Sequence, residues 1–218
     1  MGWAARDVQA PRVSCEQHSA RSSHRLRGWL RLGAAGADLW CRLREDAAVN
    51  IIDDLVKRQV RILVTVPHHT RSAEALWRRY HSAGAQIYGH PAVATRLVDT
   101  SGFEPVSGDG TVENLARVHV IDSPPRAEQP IEIPWHRALV FGDSVVETGD
   151  GQLRARGRAL DSDRRRRWWY EQYLPTLERL ADLEPAHVLV THGKPAVGDG
   201  STALRRALQR DPWQRPKR

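Results

Sequence analysis

The stretch "RILVTVPHHTRSAEAL" at residues 61–76 joins an apolar run to a polar turn and then to a helical pattern. The apolar run, "VRILVT" at 60–65, is continuous and rich in β-branched residues, which is typical of a strand covered on both faces. The turn holds two adjacent histidines, His68 and His69. They are either metal ligands at a strand end or polar residues of an ordinary loop.

A helix is predicted over 72–83, after this turn. Ser72 is a suitable N-cap and Gly84 a suitable residue just beyond the end. The apolar positions recur at the spacing i, i+3, i+4 and i+7: Ala73, Leu76, Trp77 and Tyr80. The next segment, "QIYG" at 86–89, predicts a second strand and completes a strand–helix–strand unit.

The rest of the chain repeats this alternation of apolar runs and amphipathic segments. Pro175 suits the first turn of a helix but not its interior, so it predicts a break between two helices. Pro134 and Trp135 lie in a predicted hairpin. The pattern predicts an α/β sandwich, with strands at 60–65, 117–121, 137–141 and 187–191 and helices at 72–83, 162–171, 175–183 and 201–209 outside.

Length and composition favour a single globular domain of 46–218 preceded by a different segment. The chain has 218 residues, and residues 1–45 are rich in Arg, Ser, Ala, Gly and Trp without a sustained period. We treat 1–45 as poorly determined and open to partial disorder. No apolar run approaches the roughly 18 residues of a membrane span or forms a signal-peptide core, so we expect a cytoplasmic protein with no membrane partner. The two cysteines are too few for a disulfide framework.

The net charge of +7 is concentrated in two places. Residues 154–167 carry seven arginines against two aspartates, and residues 205–218 carry six basic residues against one aspartate. An Arg-rich segment at 154–167 followed by tryptophans could bind nucleic acid. The alternative, which we favour, is a solvated helix face, because Trp168, Trp169 and Tyr173 have the spacing of core contacts.

Three predicted strands each end in a potential metal ligand. "ILVT" leads to His68, "ALVFG" to Asp143 and "HVLVT" to His192. Histidine and carboxylate side chains brought together in this way can bind zinc or a similar ion, which activates water as a nucleophile. We therefore predict that these three residues converge.

The order and surroundings of these strand ends resemble the metallo-β-lactamase fold superfamily over roughly residues 50–209. "RALVFGD" resembles the family's strand ending in Gly-Asp, "HVLVTHGKP" its strand ending in His-Gly, and "YGHPA" the segment after its second strand. The resemblance implies an αββα sandwich and, in most members, a metal-dependent hydrolase acting on a small-molecule substrate. Because residues 1–45 supply no convincing strand-rich segment, the sandwich is expected to be truncated at its N-terminal sheet.

The family motif T-H-x-H-x-D-H is degenerate in this chain. Aligning Thr65 with the motif's threonine puts His68 on the second histidine, Thr70 on the aspartate and Arg71 on the third histidine, and leaves Ser72 on the family's Ser/Thr. A shift by one residue retains His69 instead. The family's Gly-His-Thr loop falls in "IDSPPRAEQPIEI", which has no histidine.

The resemblance therefore implies an incomplete site. Its metal ligands are His68, Asp143 and His192, with His69 as a substitute, and Asp143 is the implied catalytic residue. The implied cofactor is one weakly held zinc or similar divalent ion, or none.

The remaining implied site residues, Arg71, Thr70 and His90, line the cleft. Arg71 carries a permanent charge and could pair with Asp143, replacing the ion by an ion pair. A metal-dependent hydrolase, a non-catalytic diverged member and the less favoured nucleic-acid binder remain the three alternatives.

Overall fold

The structure, a computed structural model, describes residues 29–32, 38–39, 52–53, 56, 59–70, 72–122 and 127–214. Two short strands, β1 (Trp29–Leu32) and β2 (Asp38–Leu39), fall inside the segment 1–45. The rest of that segment lies outside the described residues, and so does Arg71.

The first sheet has five strands in the order β2-β1-β3-β4-β5. Its later strands are β3 (Val60–Val64), β4 (Gln86–Gly89) and β5 (Phe103–Pro105). Strands β3 and β4 are parallel, and α1 (Ala73–Tyr80) with a 3-10 turn at His81–Ala83 connects them. This is the strand–helix–strand unit that the sequence predicts. Because β1 pairs with β3, the sheet extends beyond the predicted truncated form on its N-terminal side.

The second sheet has six strands in the order β13-β12-β9-β8-β7-β6. They are β6 (Thr111–Val112), β7 (Ala116–Val118), β8 (Ile131–Ile133), β9 (Ala138–Phe141), β12 (His187–Val190) and β13 (Ala196–Val197). A separate hairpin joins β10 (Val145–Glu147) to β11 (Leu153–Ala155). The predicted hairpin is present: β8 and β9 pair antiparallel across a 3-10 turn at Pro134–His136.

The predicted break before Pro175 is wrong, because the helical path is continuous there. Helix α2 (Asp163–Arg167) leads into a π-helical turn at Trp168–Tyr173, which leads into α3 (Leu174–Ala181). Proline lacks an N–H and its ring clashes with the carbonyl four residues earlier in an α-helix. The wider π turn removes that conflict without ending the helix. The last helix, α4, spans Gly200–Leu208.

Side chains of the buried strands point alternately to the two faces of each sheet, and both faces are covered, which gives four layers. Leu63, Val140 and Leu189 share one cluster between the two sheets. Their neighbours point the other way: Ile62 packs with α1 on the outside of the first sheet, and Phe141 packs with α3 and α4 on the outside of the second. Because side chains alternate between the faces of a strand, a continuous apolar strand needs cover on both faces. The helices and the opposite sheet supply that cover.

Within the described ranges, none of the helices combines the length and the apolar character that crossing a membrane requires.

Candidate metal centre

Three loops that follow strands place potential ligands at the same end of the sandwich. Strands β9 and β12 are parallel neighbours with Phe141 opposite Val190. The residues two positions further along, Asp143 and His192, therefore come side by side. From the first sheet, β3 leads into a 3-10 turn at Pro67–His69 that carries His69 to the same place.

His69, Asp143 and His192 form a compact group of potential ligands. One ligand atom from each lies within 4.8 Å of the others. His192 Nε2 is 3.0 Å and His69 Nε2 is 3.9 Å from the same oxygen, Asp143 Oδ1. Because an ionised carboxylate can only accept, the His192 ring donates this hydrogen bond. The His69 and Asp143 side chains are only 10% and 8% exposed, whereas His192 is 30% exposed, so solvent reaches the group from the His192 side.

An arginine also reaches this carboxylate. Arg156 Nη1 lies 3.4 Å from Asp143 Oδ1, and the Arg156 side chain is 28% exposed. The backbone N–H of Arg156 donates to Ser144 O at 2.7 Å, which fixes the end of β11 against the loop that carries Asp143. Among the described residues, the carboxylate thus faces two imidazoles and one permanent cation.

A buried carboxylate, Glu128, holds the Asp143 loop from behind. It accepts hydrogen bonds from three consecutive backbone N–H groups, those of Gly142, Asp143 and Ser144, at 2.8, 2.8 and 2.7 Å. The Ser144 hydroxyl donates to it as well, at 2.6 Å. Burial raises the pKa of Glu128 to about 6, and these hydrogen bonds, which favour the charged form, limit the rise. The buried Tyr173 nearby has its pKa raised by burial and by Glu128.

Glu147, at the end of β10, supports the His192 loop in a similar way. Its backbone N–H donates to His192 O at 2.9 Å, and its side chain accepts from the backbone N–H of Lys194 at 3.1 Å. Gly193, between His192 and Lys194, has φ +92°, and a Cβ there would lie 2.3 Å from a Glu147 side-chain oxygen. Glycine is therefore required at this position for the loop to close on Glu147.

Neither a family model nor a curated protein matches the chain. Among solved structures, a chemotaxis sensor, ODP, solved as a peroxy diiron species, is similar at a TM-score of 0.54 and 15% identity, over 75% of this chain and 77% of that one. DIM-1 metallo-β-lactamase exposed to ceftazidime follows at 0.46 and 16%, over 75% and 74%. A metallo-β-lactamase superfamily protein from Sulfolobus tokodaii follows at 0.43 and 13%, over 70% and 76%.

The layer order, the strand ends and the similarity at 0.54 agree with the resemblance seen in the sequence. The chain has the metallo-β-lactamase fold. At 15% identity this similarity concerns the fold alone.

The structure corrects which histidine meets the other two residues. His68, the expected ligand, is exposed in the 3-10 turn, and His69, the substitute, joins the group. A 3-10 turn advances about 120° per residue, so adjacent side chains in it point in very different directions. Aligning the metallo-β-lactamase motif by sequence order alone does not show which of the two adjacent histidines points to the other ligands.

For two of the residues predicted to line the cleft the structure gives a local contact, and the third, Arg71, is not described. His90 Nδ1 accepts the backbone N–H of Ala92 at 3.1 Å and so caps the 3-10 turn at Pro91–Arg96. The Thr70 carbonyl accepts from Ala73 N at 2.9 Å at the start of α1. The expected pairing of Arg71 with Asp143 lies outside the described residues, whereas Arg156 is paired with that carboxylate.

The Arg-rich segment 154–167 does not form one uniform basic surface. Arg156 points at Asp143, and Arg154 donates to the backbone carbonyl of Asp211 at 3.0 Å. Arg165 and Arg166 pair with neighbouring aspartates of α2 and its approach, at 2.7 and 2.8 Å. Trp169 and Tyr173 are buried, as the helical spacing predicts.

Proposed function

We propose that the protein is a metal-dependent hydrolase that binds a single divalent ion through His69, Asp143 and His192. The proximity of the three ligand atoms, all within 4.8 Å of one another, carries this proposal. Ligands around a tetrahedral zinc with bonds near 2 Å lie about 3.3 Å apart, so small side-chain movements would bring these atoms to bonding distance. Two imidazoles and one carboxylate are a donor set that zinc and similar ions accept.

The same residues suit water activation. An ion held by three protein ligands retains an open position and lowers the pKa of its water to about 7, which supplies a nucleophile at neutral pH. The exposed side of His192 gives substrate and water access to that position. To bind the ion through Nε2, the His192 ring must carry its proton on Nδ1 instead of donating it to Asp143. Because metal ligands bind in their deprotonated forms, binding becomes weaker as the pH falls.

A direct metal titration tests the proposal, and the chain offers a matched control. The protein is stripped with EDTA, dialysed and titrated with zinc by calorimetry. We expect one site per chain, with affinity at least tenfold lower in His69→Ala and unchanged in His68→Ala, whose ring is exposed outside the group. Zinc-dependent hydrolysis in a screen of esters and phosphodiesters should disappear in Asp143→Asn.

Two tightly bound ions per chain, or equal losses in both histidine variants, would contradict the single site. A second candidate function is a metal-independent binding protein in which the Arg156 guanidinium permanently neutralises Asp143. The 3.4 Å contact between these two groups favours it. Absence of zinc binding in the unaltered protein would support this alternative.

A further inference from the structure

Arg156 is held in place more firmly than an ordinary surface arginine. Its backbone N–H donates to Ser144 O, and its backbone forms a β-bridge with Trp213. The next residue, Gly157, donates its N–H to Trp213 O at 3.1 Å. The guanidinium therefore projects from a fixed backbone position beside the Asp143 loop.

Among the described residues, three nitrogen groups lie close to one oxygen of Asp143. His192 Nε2, Arg156 Nη1 and His69 Nε2 lie 3.0, 3.4 and 3.9 Å from Oδ1. An ion bound by the three ligands would take over this oxygen and weaken its contact with Arg156. A guanidinium keeps its charge at every working pH and has five N–H donors, so it would then need another acceptor.

We infer that Arg156 forms an anion subsite beside the proposed ion, and that the substrate carries a phosphate or carboxylate group there. The inference rests on the proposed function, since the ion is what frees the guanidinium from Asp143. Arg156 and His192 are the most exposed of the four side chains, at 28% and 30%, so they border the open side of the site. Planar, paired N–H donors match the oxygens of phosphate and carboxylate.

This arrangement predicts opposite effects on two ligands when the charge of Arg156 is removed. Its positive charge repels a divalent ion a few ångströms away, but attracts an anion. Arg156→Gln should therefore bind zinc more tightly and bind inorganic phosphate more weakly. A residue that only stabilises the loop would, on replacement, weaken both.

The test measures both ligands on the full-length chain. Zinc is titrated into EDTA-stripped protein, and inorganic phosphate, then acetate, is titrated into protein with and without one equivalent of zinc. The variants are Arg156→Gln, Arg156→Lys and the control Arg158→Gln, which changes an exposed arginine two residues away. Thermal unfolding of each variant checks that the fold is intact.

We expect phosphate affinity to fall at least tenfold in Arg156→Gln, to fall less in Arg156→Lys and to be unchanged in Arg158→Gln. Zinc affinity in Arg156→Gln should exceed that of the unaltered protein. The stronger of the phosphate and acetate responses identifies which anion the site prefers.

The two proposals fail in different ways. If phosphate affinity is unchanged in Arg156→Gln, or falls together with zinc affinity, the anion subsite is refuted. If zinc does not bind but phosphate binding still depends on Arg156, the hydrolase proposal fails, and Arg156 binds the anion without needing an ion to free it from Asp143.

Discussion

At the scale of single residues, Glu128 organises the site although it is not among the proposed ligands. Its carboxylate is fully buried and fixes three consecutive N–H groups, including that of Asp143. Leaving such donors unsatisfied in the interior would cost about 1–3 kcal/mol each. The position of the Asp143 carboxylate therefore depends on a side chain 15 residues earlier in the chain.

The raised pKa of Glu128 predicts a specific pH dependence of stability. A carboxyl whose pKa is 4.5 in the unfolded chain and about 6 when folded binds more protons in the folded state between these values, so its contribution to stability decreases as the pH rises through that window. Glu128→Gln lacks this titration. From pH 4 to pH 7, the unfolding free energy of the unaltered protein minus that of the variant should decrease by about 2 kcal/mol.

Urea denaturation at a series of pH values, with EDTA present to exclude metal binding, measures this difference. Carboxyl groups that do not interact with Glu128 titrate alike in the two proteins, so their contributions cancel in the subtraction. A difference that increases with pH would mean that the four hydrogen bonds outweigh burial and that the carboxyl is easier to ionise than in the unfolded chain.

Single residues are also where the sequence was least informative. Asp143 and His192 could be picked out because each follows an apolar strand directly. Glu128 and Arg156 could not, since one lies in an irregular loop and the other in a run of arginines. Both lie near Asp143 in sequence but reach it only through the pairing of β8 with β9 and of β10 with β11, which residue type alone does not mark as part of a site.

At the scale of elements, the approach of the two sheets at the site depends on Gly142. A Cβ at this position would lie 2.1 Å from Val66 Cγ2, in the segment that leads to His69. This close approach lets the loop after β9 meet the loop after β3. Any side chain at residue 142 must push the Val66 segment away.

Gly142→Ala should therefore lower the unfolding free energy by about 1–3 kcal/mol, the usual cost of overpacking a filled interior. It should also weaken zinc binding, because His69 moves with Val66. The combination with Val66→Ala removes the clashing methyl group. Chemical denaturation of both single variants and the double variant should show the Gly142→Ala penalty reduced by about 1 kcal/mol or more in the Val66→Ala background.

If the two substitutions change the unfolding free energy additively, contact with Val66 is not what destabilises Gly142→Ala. The Thr65 hydroxyl, which would lie 3.0 Å from the same Cβ, is the next neighbour. If zinc affinity is unchanged in Gly142→Ala, the packing of the Val66 segment does not determine the position of His69.

Helix α1 and the hairpin of β8 and β9 could be predicted because the local spacing of apolar residues and the turn residues determine them. The path through Pro175 was not. A proline usually signals a helix boundary, but here the π turn at Trp168–Tyr173 absorbs it. Burial of Trp169 and Tyr173 against the second sheet keeps this turn in place, and that tertiary effect outweighs the local signal.

At the scale of the whole molecule, the four layers follow from the continuous apolar strands, which need cover on both faces. The order of strands within each sheet could be inferred only through the family resemblance. Polar contacts also join the two sheets, and an ion pair is among them. Arg61 of β3 is buried, and its Nε and Nη2 atoms both lie 2.7 Å from Glu113 Oε1, between β6 and β7.

The two partners of this ion pair differ in exposure, which predicts an asymmetric response to mutation. The Arg61 side chain is 8% exposed and that of Glu113 is 43% exposed. Glu113→Ala leaves a buried guanidinium whose remaining acceptors are the carbonyls of Gly84 and Val60 and the Gln59 side chain. Arg61→Met removes the buried charge and leaves a carboxylate that water can solvate.

We therefore expect Glu113→Ala to destabilise the protein by about 1–3 kcal/mol, and Arg61→Met to cost less than about 1 kcal/mol. Adding Glu113→Ala to Arg61→Met should have only a small further effect, because the charge that needed a partner is gone and the Tyr88 hydroxyl, which also donates to Glu113, has Gln86 as a second acceptor. Chemical denaturation of the four proteins measures the complete cycle. A larger loss in Arg61→Met than in Glu113→Ala would show that the guanidinium stabilises the joined sheets through its packing and its carbonyl contacts, and that the ion pair with Glu113 contributes little.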